Sequence, residues 1–290
     1  MSIYSDLTKN FPTLKIEKDH PIGPHTSFKV GGKGDVAAFP HTKELFAQLV
    51  GYLNGRYPYC VIGRGTNLLV SDKGFRGAVI FTTLLSDADV KGNLIVADAG
   101  APVKKLCKMA ADNNLGGLEF AVGIPGSIGG LVAMNGGCFN KTISEVVCYV
   151  KGENGVYNNK LCDFGYRNSR FLSGEVILSV GLKLKISEED LIRQKTERFT
   201  TVRQKTQPKG ATAGSVFLNQ GFFAGKVIDQ AGLKGYKIGG AKISPKHGNF
   251  IINEGQSAQD IYDLICYVKE TVYAKSGIRL NEEIRYIGEF

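Results

Sequence analysis

The feature that most constrains this chain is a glycine-rich stretch near its middle, residues 117–139. Six glycines stand between positions 123 and 137, Pro125 fixes a turn among them, and residues 121–139 carry no charge. Glycine tolerates positive φ and close approach of a ligand, and successive backbone N–H groups beside a helix start form an anion-binding nest. The apolar side chains within 128–134 indicate that the stretch is buried. Glycine-rich turns without a ligand are the plain alternative, but a buried, uncharged, donor-rich loop favours the pyrophosphate of a cofactor.

The length and composition are those of a folded globular protein and argue against several other classes. The 290 residues suffice for two or three domains, with 43% hydrophobic and 22% charged residues. Because no apolar run reaches about 18 residues, we expect no transmembrane helix. The N-terminus has an early acid and no apolar segment, so the sequence predicts a cytoplasmic protein without membrane association. Six scattered cysteines, with no Cys-x-x-Cys and no Cys/His spacing, predict reduced thiols and no metal site.

The net charge of +9 is concentrated in one region of the chain. Residues 194–250 contain ten basic side chains and two acidic ones, so the remainder is close to neutral. A confined basic field indicates an anionic ligand, either nucleic acid or a phosphorylated small molecule. Binding of stacked bases needs aromatic residues interleaved with the basic ones. The aromatic residues here are spread among glycines and apolar residues, which favours a small molecule and predicts no nucleic-acid partner.

Hydrophobic patterns predict an α+β protein with three successive domains. Strands outnumber helices in the first two thirds of the chain, and a helix over residues 187–204 marks the start of the basic region. Residues 258–276 form a second long amphipathic pattern with apolar side chains at helical spacing. Residues 277–288 predict a final strand in which Glu282 and Glu283 face opposite sides. We place the domains at residues 1–83, 84–193 and 194–290.

A Gly-x-Gly sequence after a predicted strand, Gly63-Arg-Gly65, invites comparison with dinucleotide-binding motifs. The third glycine of the Rossmann fingerprint is missing, because Leu68 occupies its position, and a strand follows instead of a helix. No Gly-x-x-x-x-Gly-Lys-Ser/Thr sequence occurs either. The sequence therefore argues against both a Rossmann domain and a P-loop domain.

Several separated motifs agree on one family. They are Gly63-Arg-Gly-Thr-Asn-Leu-Leu-Val70, Gly123-Ile-Pro-Gly-Ser-Ile-Gly-Gly130, Met134-Asn-Gly136, Tyr166-Arg-Asn-Ser169, Ala213-Gly-Ser-Val-Phe-Leu-Asn219, Lys246-His-Gly-Asn-Phe-Ile-Ile-Asn253 and Glu282-Glu-Ile-Arg-Tyr-Ile-Gly288. In number and order they resemble the motifs of the UDP-N-acetylenolpyruvoylglucosamine reductases, bacterial flavoproteins that make UDP-N-acetylmuramate for peptidoglycan. The resemblance covers roughly residues 20 to 288, and the length resembles that of the shorter form of the family.

The resemblance implies a two-lobed FAD-binding domain of the vanillyl-alcohol-oxidase type, α+β in fold, followed by a C-terminal α+β substrate domain. It also implies non-covalent FAD, NADPH as reductant and a UDP-sugar as substrate, with no obligate protein partner. Ten residues match the flavin loops of the family: Gly63, Gly65, Thr66, Asn67, Leu68, Pro125, Gly126, Ser127, Gly129 and Asn135. Half of them lie in the glycine-rich stretch, where the residues by themselves already favour a pyrophosphate.

Arg167, Ser215 and Glu283 match the catalytic residues of the family. Hydride transfer from reduced flavin to the enol ether leaves negative charge on the α-carbon and carboxylate of the substrate, which a planar guanidinium can hold. The resemblance assigns Ser215 as the proton donor to the α-carbon and Glu283 as the group that orients or polarises the carboxylate. Considered without the resemblance, these residues could equally be a surface arginine, a loop serine and a solvated acid.

The basic region supplies candidate partners for the diphosphate and carboxylate of such a substrate. We expect contacts from Tyr166, Arg203, Lys205, Asn219 and Lys226. A solvated basic face is the alternative for these side chains, and the role of His247 stays open. Residues 135–140 and 216–220 differ from the sequences more usual in the family, a difference that bears on substrate affinity and loop shape.

An FAD oxidase of the same fold, acting on a small alcohol or sugar, is the other enzymatic interpretation. Such oxidases often tether the flavin through histidine, and this chain has four histidines, at positions 20, 25, 41 and 247. The residues that match the catalytic set suit the reduction of an enol ether better. The sequence therefore predicts an FAD-dependent UDP-N-acetylmuramate dehydrogenase that serves peptidoglycan synthesis and cell wall formation.

Overall fold

The computed structural model describes residues 2–290, which divide into two compact units. The first unit comprises residues up to Ile16 together with Ala38–Arg64 and Val79–Arg203. The second comprises Glu17–Ala37, Gly65–Ala78 and Gln204–Phe290. Each unit is therefore built from segments that are distant in sequence. The three successive domains expected from the sequence stay a prediction, because compactness and function need not divide a chain at the same residues.

The described residues contain seven α-helices and eighteen strands, numbered here along the chain. The helices are α1 Ile3–Asn10, α2 Lys43–Leu53, α3 Val103–Asp112, α4 Ile128–Ala133, α5 Glu189–Thr206, α6 Ala224–Gln230 and α7 Ala258–Ser276. The strands are β1 Lys15–Pro21, β2 Lys33–Phe39, β3 Tyr59–Ile62, β4 Leu68–Val70, β5 Phe75–Phe81, β6 Ala88–Lys91, β7 Leu94–Asp98, β8 Leu115–Gly116, β9 Gly137–Cys138, β10 Lys141–Thr142, β11 Val147–Gly152, β12 Val156–Asn158, β13 Ile177–Lys183, β14 Lys185–Ile186, β15 Lys237–Ile238, β16 Ala241–Ile243, β17 Ile251–Asn253 and β18 Arg285–Ile287. This mixture confirms the α+β class.

A five-stranded antiparallel sheet forms the centre of the first unit. Its strand order is β12-β11-β13-β7-β6, and the middle strand β13 is buried at every residue except Lys183. A strand that is buried almost throughout is covered on both faces. Helix α3 contributes apolar side chains at helical spacing to the same core, namely Val103, Leu106 and Ala110. The core therefore joins the sheet to the segment that precedes the glycine-rich stretch.

Helix α4 lies inside the glycine-rich stretch. The Ser127 hydroxyl accepts a hydrogen bond of 3.4 Å from the Gly130 N–H, which caps the start of the helix. The apolar residues on the core side of α4 are at most 8% exposed: Ile128, Leu131 and Val132. The predicted burial is confirmed for these three residues, whereas the two residues that follow them are half-buried.

Helix α7 organises the second unit. The Ser257 side chain caps its N-terminus, and Gly277 ends it with a φ of 69°, as a left-handed C-cap requires. The predicted apolar stripe is confirmed, because five side chains are at most 1% exposed: Ile261, Leu264, Ile265, Val268 and Val272. The helix packs against β15 and β16 of a three-stranded antiparallel sheet with the order β15-β16-β17.

The last strand is shorter than predicted. Strand β18 begins only at Arg285, where it pairs in parallel with β4 in the register Arg285 to Leu68. The preceding residues run instead beside residues 216–218, with a hydrogen bond of 2.8 Å from the Leu218 N–H to the Asn281 carbonyl. The acidic pair at 282 and 283 thus lies before the strand and not within it, because the chain changes its pairing partner there.

The remaining larger sheet has four strands in the order β1-β2-β5-β3. Three boundaries of the two units fall within β1, β2 and β5, one lies between Arg64 and Gly65, and one falls within α5. Helix α5, predicted over residues 187–204, spans 189–206, and only Ile192 is buried on it. Such a helix presents most of its basic and acidic side chains to solvent.

Candidate active site

Arg167 lies in a tight reverse turn between Gly165 and Asn168. Backbone hydrogen bonds join the turn ends in both directions, with N···O distances of 3.0 Å and 3.3 Å. Arg167 itself has a φ of 52°, in the left-handed region that residues with a side chain seldom adopt. Backbone strain of this kind persists only where the surroundings enforce it, and it is frequent at functional sites. The guanidinium carbon lies 5.3 Å from the ring centre of Tyr166, so these two predicted site residues are in contact.

The guanidinium of Arg167 contacts the residues that follow α4. Its Nη2 donates to the Gly137 carbonyl at 3.1 Å, and its Nη1 donates to the Asn135 carbonyl at 3.5 Å. Asn135 is 5% exposed and also left-handed, with a φ of 41°. Its side-chain nitrogen donates to the Gly165 carbonyl at 2.8 Å, and its Oδ1 accepts from the Ser144 N–H at 3.2 Å. One hydrogen-bond network therefore connects the glycine-rich stretch to the turn that carries Arg167.

The predicted flavin-loop glycines of the first unit are places of close packing. A Cβ on Gly63 would overlap the Ser127 hydroxyl, and a Cβ on Gly129 would lie 2.9 Å from the Cβ of Ala99. Gly126 has a φ of 127°, which strongly favours glycine. The structure thus brings together, at the start of α4, one run of predicted flavin residues: Pro125, Gly126, Ser127 and Gly129. At Gly63 and Gly129 any larger side chain would separate the loops.

The other predicted flavin residues form a loop that enters β4 in the second unit. Gly65 has a φ of 58°, and its carbonyl accepts a hydrogen bond of 2.9 Å from the Ser27 N–H. The Asn67 side chain donates to the Glu283 carbonyl at 3.0 Å, and its own carbonyl accepts from the first N–H of β18 at 3.0 Å. This loop, which also contains Thr66 and ends at Leu68, is therefore tied to the main chain of the predicted catalytic glutamate.

A buried hydroxyl beside this loop bears on the cofactor. The Ser27 Oγ is buried and has no hydrogen-bond partner among residues 2–290, although its own N–H is bonded to Gly65. Buried polar groups are nearly always hydrogen-bonded, so an unpaired hydroxyl next to a glycine loop fits a polar ligand atom there. Together with the tight glycine contacts, this hydroxyl shows that the residues present fit a cofactor rich in polar groups, as FAD is.

Ser215 and Glu283 lie on adjacent backbone segments. The Glu283 N–H donates to the Val216 carbonyl at 2.7 Å, and Ser215 forms an isolated bridge with Phe250. The neighbouring acid has a different partner, because Glu282 Oε1 lies 2.7 Å from the Lys269 Nζ on α7. Of the two adjacent acids, Glu283 is therefore the candidate active-site residue, and Glu282 belongs to an ion pair.

A cavity of about 310 Å³ lies beside Ser215 in the second unit. Three lysines line it, at positions 226, 234 and 246. The Lys234 Nζ is 2.6 Å from the Asp229 carboxylate, and the Lys246 Nζ donates to a backbone carbonyl at 2.6 Å. These contacts hold two of the ammonium groups at the cavity, so its field is basic and suits an anionic ligand.

His247 lines the same cavity as an uncharged donor. Burial, reinforced by the nearby Lys234, holds the pKa of the imidazole below its usual range, so the ring is neutral at neutral pH. Its Nδ1 accepts a hydrogen bond of 3.2 Å from the Asn249 N–H, which places the ring proton on Nε2. The residue whose role the sequence left open is thus a neutral N–H donor among lysines.

The predicted substrate residues have different surroundings. Lys226 and Asn219 line the cavity, and the Asn219 Oδ1 accepts from the first N–H of α6 at 2.9 Å. Arg203 lies in the first unit against the glycine-rich stretch, with its Nη1 3.7 Å from the Cys138 sulfur. Lys205 is exposed on α5. Of these predicted substrate residues, Lys226 and Asn219 therefore line the cavity, whereas Arg203 and Lys205 do not.

Among residues 2–290, no helix is long and apolar enough to cross a membrane. Within the same range, no three His, Cys, Asp or Glu side chains are grouped so that they could hold a metal ion.

Comparisons with known proteins agree with this geometry. A family model described as the C-terminal domain of UDP-N-acetylenolpyruvoylglucosamine reductase matches residues 205–287, and one described as an FAD binding domain matches residues 35–152. A reductase of that name from Clostridium botulinum is 43% identical over 281 residues, which cover 93% of this chain and 92% of the relative. The chain belongs to the UDP-N-acetylenolpyruvoylglucosamine reductase family.

Further members of the reductase family resemble this chain over nearly its whole length. The reductase of Caldanaerobacter subterraneus is 39% identical, with 95% of this chain and 94% of the relative covered. The crystal structure of the Thermus caldophilus reductase matches with a TM-score of 0.84 and 33% identity, over 95% of this chain and 100% of that one. The predicted family and the α+β fold class, with an FAD-binding domain followed by a C-terminal reductase domain, are thus confirmed. The protein is an FAD-dependent oxidoreductase.

Sequence reasoning missed several residues that the reductase structure brings to the site. Ser27 and Lys234 stand in none of the motifs, since isolated serines and lysines are common on any surface, and Lys246 stood in a noted motif without an assigned role. His247 stood in a noted motif, but its tautomer and charge depend on burial and on a backbone N–H. Only the folded contacts could identify these groups.

Proposed function

We propose that this enzyme reduces UDP-N-acetylglucosamine enolpyruvate to UDP-N-acetylmuramate, with NADPH as the electron donor, for peptidoglycan precursor synthesis. The observation that carries the proposal is the pairing of the Ser215 and Glu283 segments next to a basic cavity. A hydroxyl, a carboxyl group and an anion-binding surface on one unit are what reduction and protonation of an anionic enol ether require. UDP-sugars and NADPH are cytoplasmic metabolites, so we place the enzyme in the cytoplasm, acting on small molecules.

The flavin loops are proposed to hold FAD without a covalent link. The residues around Gly63, Gly65–Leu68 and Pro125–Gly129 provide close backbone approach, and the Ser27 hydroxyl provides a polar contact. When bound, the reduced flavin supplies the hydride that adds to the β-carbon of the enol ether. The protein groups bind, orient and protonate the substrate.

Hydride addition leaves negative charge on the α-carbon and carboxylate of the substrate. Arg167 holds this charge, because a planar guanidinium can donate two parallel hydrogen bonds to a carboxylate. Ser215 gives its proton to the α-carbon, and Glu283 orients the carboxylate, most effectively when it is protonated and can donate. Tyr166, in contact with Arg167, is proposed to bind the substrate on the same turn.

The basic cavity is proposed to bind the diphosphate of the UDP-sugar. Lys226, Lys234 and Lys246 supply positive charge. His247 supplies an N–H donor, and because its ring is neutral it does not repel these lysines. Asn219 lines the cavity as a further donor, whereas Arg203 and Lys205 are proposed as substrate contacts on the resemblance alone. An anion site beside Ser215 keeps the sugar substrate next to the proton donor.

An anaerobic experiment tests the reaction in two halves. The purified holoenzyme is reduced with NADPH, UDP-N-acetylglucosamine enolpyruvate is then added, and the visible flavin absorbance is followed. We expect rapid reduction by NADPH and rapid reoxidation by the enolpyruvyl substrate. A flavin that stays reduced after addition of the substrate would overturn the substrate assignment, and a protein purified without flavin would overturn the interpretation of the glycine loops.

A further inference from the structure

The side chain of Asn135 uses both of its polar ends within the protein. Its Nδ2 donates to the Gly165 carbonyl at 2.8 Å, and its Oδ1 accepts from the Ser144 N–H at 3.2 Å. The residue is 5% exposed, and a buried amide is stable only with such partners. The hydrogen bonds of this side chain are therefore directed toward the Arg167 turn and toward its own loop.

The same residue acts on Arg167 in two ways. Its amide fixes the carbonyl of Gly165, the residue that opens the reverse turn on which Arg167 sits. Its main-chain carbonyl accepts from the Arg167 Nη1, beside the stronger bond from Nη2 to the Gly137 carbonyl. The backbone of the turn and the plane of the guanidinium are thus held by one segment of chain.

A second hydrogen bond holds the same turn in place. The hydroxyl of Ser169, a residue that is 2% exposed, donates to the Ala133 carbonyl at the end of α4 with a distance of 2.7 Å. The Gly165 end of the turn is thus bonded to the side chain of Asn135, just after α4, and Ser169 at the other end is bonded to the last residue of α4. The left-handed backbone of Arg167 needs such attachment, because an isolated turn would relax to a more common conformation.

We propose that Asn135 is a positioning residue for Arg167, in addition to any contact that it makes with the cofactor. The inference rests on the proposed role of Arg167 in holding the charge of the reduced substrate. A guanidinium stabilises developing charge only from the correct place, and a displacement of about 1 Å can slow a reaction roughly 100-fold. Asn135 therefore sets the rate of substrate reduction without touching the substrate.

The test compares the two half-reactions in Asn135→Asp holoenzyme. The aspartate keeps an acceptor for Ser144 but replaces the donor to Gly165 by an oxygen, so the turn is released with little change in volume. We expect reoxidation by the enolpyruvyl substrate to slow roughly 10- to 100-fold. The FAD dissociation constant, determined by flavin fluorescence, and the rate of reduction by NADPH are measured on the same variant, and both are expected to change less than the rate of reoxidation.

A double-mutant cycle with Arg167→Ala tests whether Asn135 acts through the guanidinium of Arg167. If Asn135 acts through the guanidinium, Asn135→Asp causes little further slowing in the Arg167→Ala background, because coupled residues are not additive. Ser169→Ala, which removes the hydrogen bond to the Ala133 carbonyl, is likewise expected to slow reoxidation in the wild-type background and to cause little further slowing in the Arg167→Ala background. Asn140→Asp is the matched control, because Asn140 is an exposed asparagine with a φ of 57° in the turn between β9 and β10. This substitution is expected to leave the rates of both half-reactions unchanged.

Two results would overturn the inference while leaving the proposed function intact. One is weakened FAD binding or equal slowing of both half-reactions in Asn135→Asp, which would make Asn135 chiefly a cofactor contact. The other is full additivity with Arg167→Ala. By contrast, wild-type flavin that is not reoxidised by the enolpyruvyl substrate would reject the proposed function itself.

Discussion

At the scale of single residues, the neighbouring acids Glu282 and Glu283 have different partners. The Lys269 ammonium is 2.7 Å from Glu282, whereas the main chain of Glu283 is hydrogen-bonded to both Val216 and Asn67. The ion pair is partly exposed, with side chains 39% and 23% accessible, so solvent screens much of its attraction. Glu282 is therefore paired with a residue of α7, and Glu283 remains the acid that we propose for the active site.

Substitution of the two acids is expected to separate catalysis from stability. Glu283→Gln should slow substrate reduction roughly 100-fold or more, since the carboxyl group proposed to orient the substrate carboxylate is replaced by an amide. Glu282→Gln should leave that rate within about twofold and lower the free energy of unfolding by about 0.5 kcal/mol, as for a screened ion pair. Stopped-flow kinetics and urea denaturation measure the two effects. Lys269→Met is the control, and it should add no further loss to Glu282→Gln; a slow Glu282→Gln enzyme would contradict the assignment.

Binding of the diphosphate is expected to depend on pH through His247. The imidazole is neutral at neutral pH because burial lowers its pKa, so it gains a positive charge only when the pH falls below the usual histidine range. A protonated ring among lysines attracts phosphate more strongly, and bound phosphate in turn favours protonation. Titration calorimetry with UDP-N-acetylglucosamine, whose diphosphate has no terminal phosphate to titrate in this range, should therefore give tighter binding at acidic pH than at pH 8 (roughly tenfold for a charge gained at a half-buried site). In His247→Gln the dependence should largely vanish; an identical pH profile in both proteins would contradict this role.

The residues that sequence reasoning identified are those whose chemistry stands in a motif. Arg167, Ser215 and Glu283 were expected from the family resemblance, and their assignment remains a prediction. The left-handed backbone of Arg167 and the bonds of Asn135 could not be foreseen, because no pattern in residues 165–168 encodes where a distant carbonyl will lie. Long-range hydrogen bonds depend on tertiary contacts that local sequence does not carry.

At the scale of elements, helix α4 joins the glycine-rich stretch to the core of the first unit. Its Gly129 N–H donates to the Ala99 carbonyl at 2.8 Å, and no room remains there for a side chain. Its other glycine, Gly130, is exposed, and a Cβ there would meet only the Ser127 Oγ, at 3.5 Å. The two adjacent glycines therefore have different reasons to be present.

A pair of alanine substitutions tests this difference. Gly129→Ala should lower the free energy of unfolding by about 1–3 kcal/mol, since an added methyl group must displace backbone atoms, and it should weaken FAD binding. Gly130→Ala should be neutral or raise stability by up to about 1 kcal/mol, as alanine favours a helix interior. Urea denaturation and flavin fluorescence provide the readouts. Equal effects of the two substitutions would show that packing against Ala99 does not control α4.

Elements with strong periodicity were predictable, and elements defined by their partners were not. The apolar stripe of α7 runs from Ile261 to Val272, about three turns, so the sequence pattern predicts both the helix and its buried face. The segment 277–288 shows strand-like alternation throughout, yet only Arg285–Ile287 forms a regular strand. The preceding residues pair with residues 216–218 instead, and local sequence holds no information about which partner is available.

At the scale of the whole molecule, the cysteines report on how completely the chain is packed. Burial raises the pKa of Cys60 and Cys107 to about 12 and that of Cys162 to about 11. Cys148 is the exposed one among them. Since only the thiolate reacts, native protein should expose very little reactive thiol.

Thiol titration with a chromogenic disulfide at pH 8 is therefore expected to be biphasic. Cys148, the exposed thiol, should react quickly, and Cys60, Cys107 and Cys162, whose pKa values are raised by burial, should react only on the timescale of local or global unfolding. Cys148→Ser should abolish the fast phase, and urea should convert all remaining thiols to fast reaction. Several fast thiols in native Cys148→Ser protein would contradict the packing described for the two units.

The division of the molecule into units was the least accessible to sequence reasoning. The expected domains follow one another along the chain. By contrast, each compact unit consists of three segments, which alternate along the sequence with those of the other unit. Strand β18 pairs with β4 although more than 200 residues separate them, and strand pairing at such distance leaves no trace in composition or periodicity. The expected boundaries remain a prediction about function, and the contact-defined units describe packing.

The parallel pairing of β18 with β4 has a consequence for biosynthesis. The loop Gly65–Leu68 leaves the ribosome early, but Asn67 acquires its partners Glu283 and Arg285 only after that much later segment has been translated. The β4–β18 pairing of the second unit therefore forms late in synthesis. Until then the early segments of this unit lack their partner strand, and unpaired strand edges of this kind are prone to aggregation.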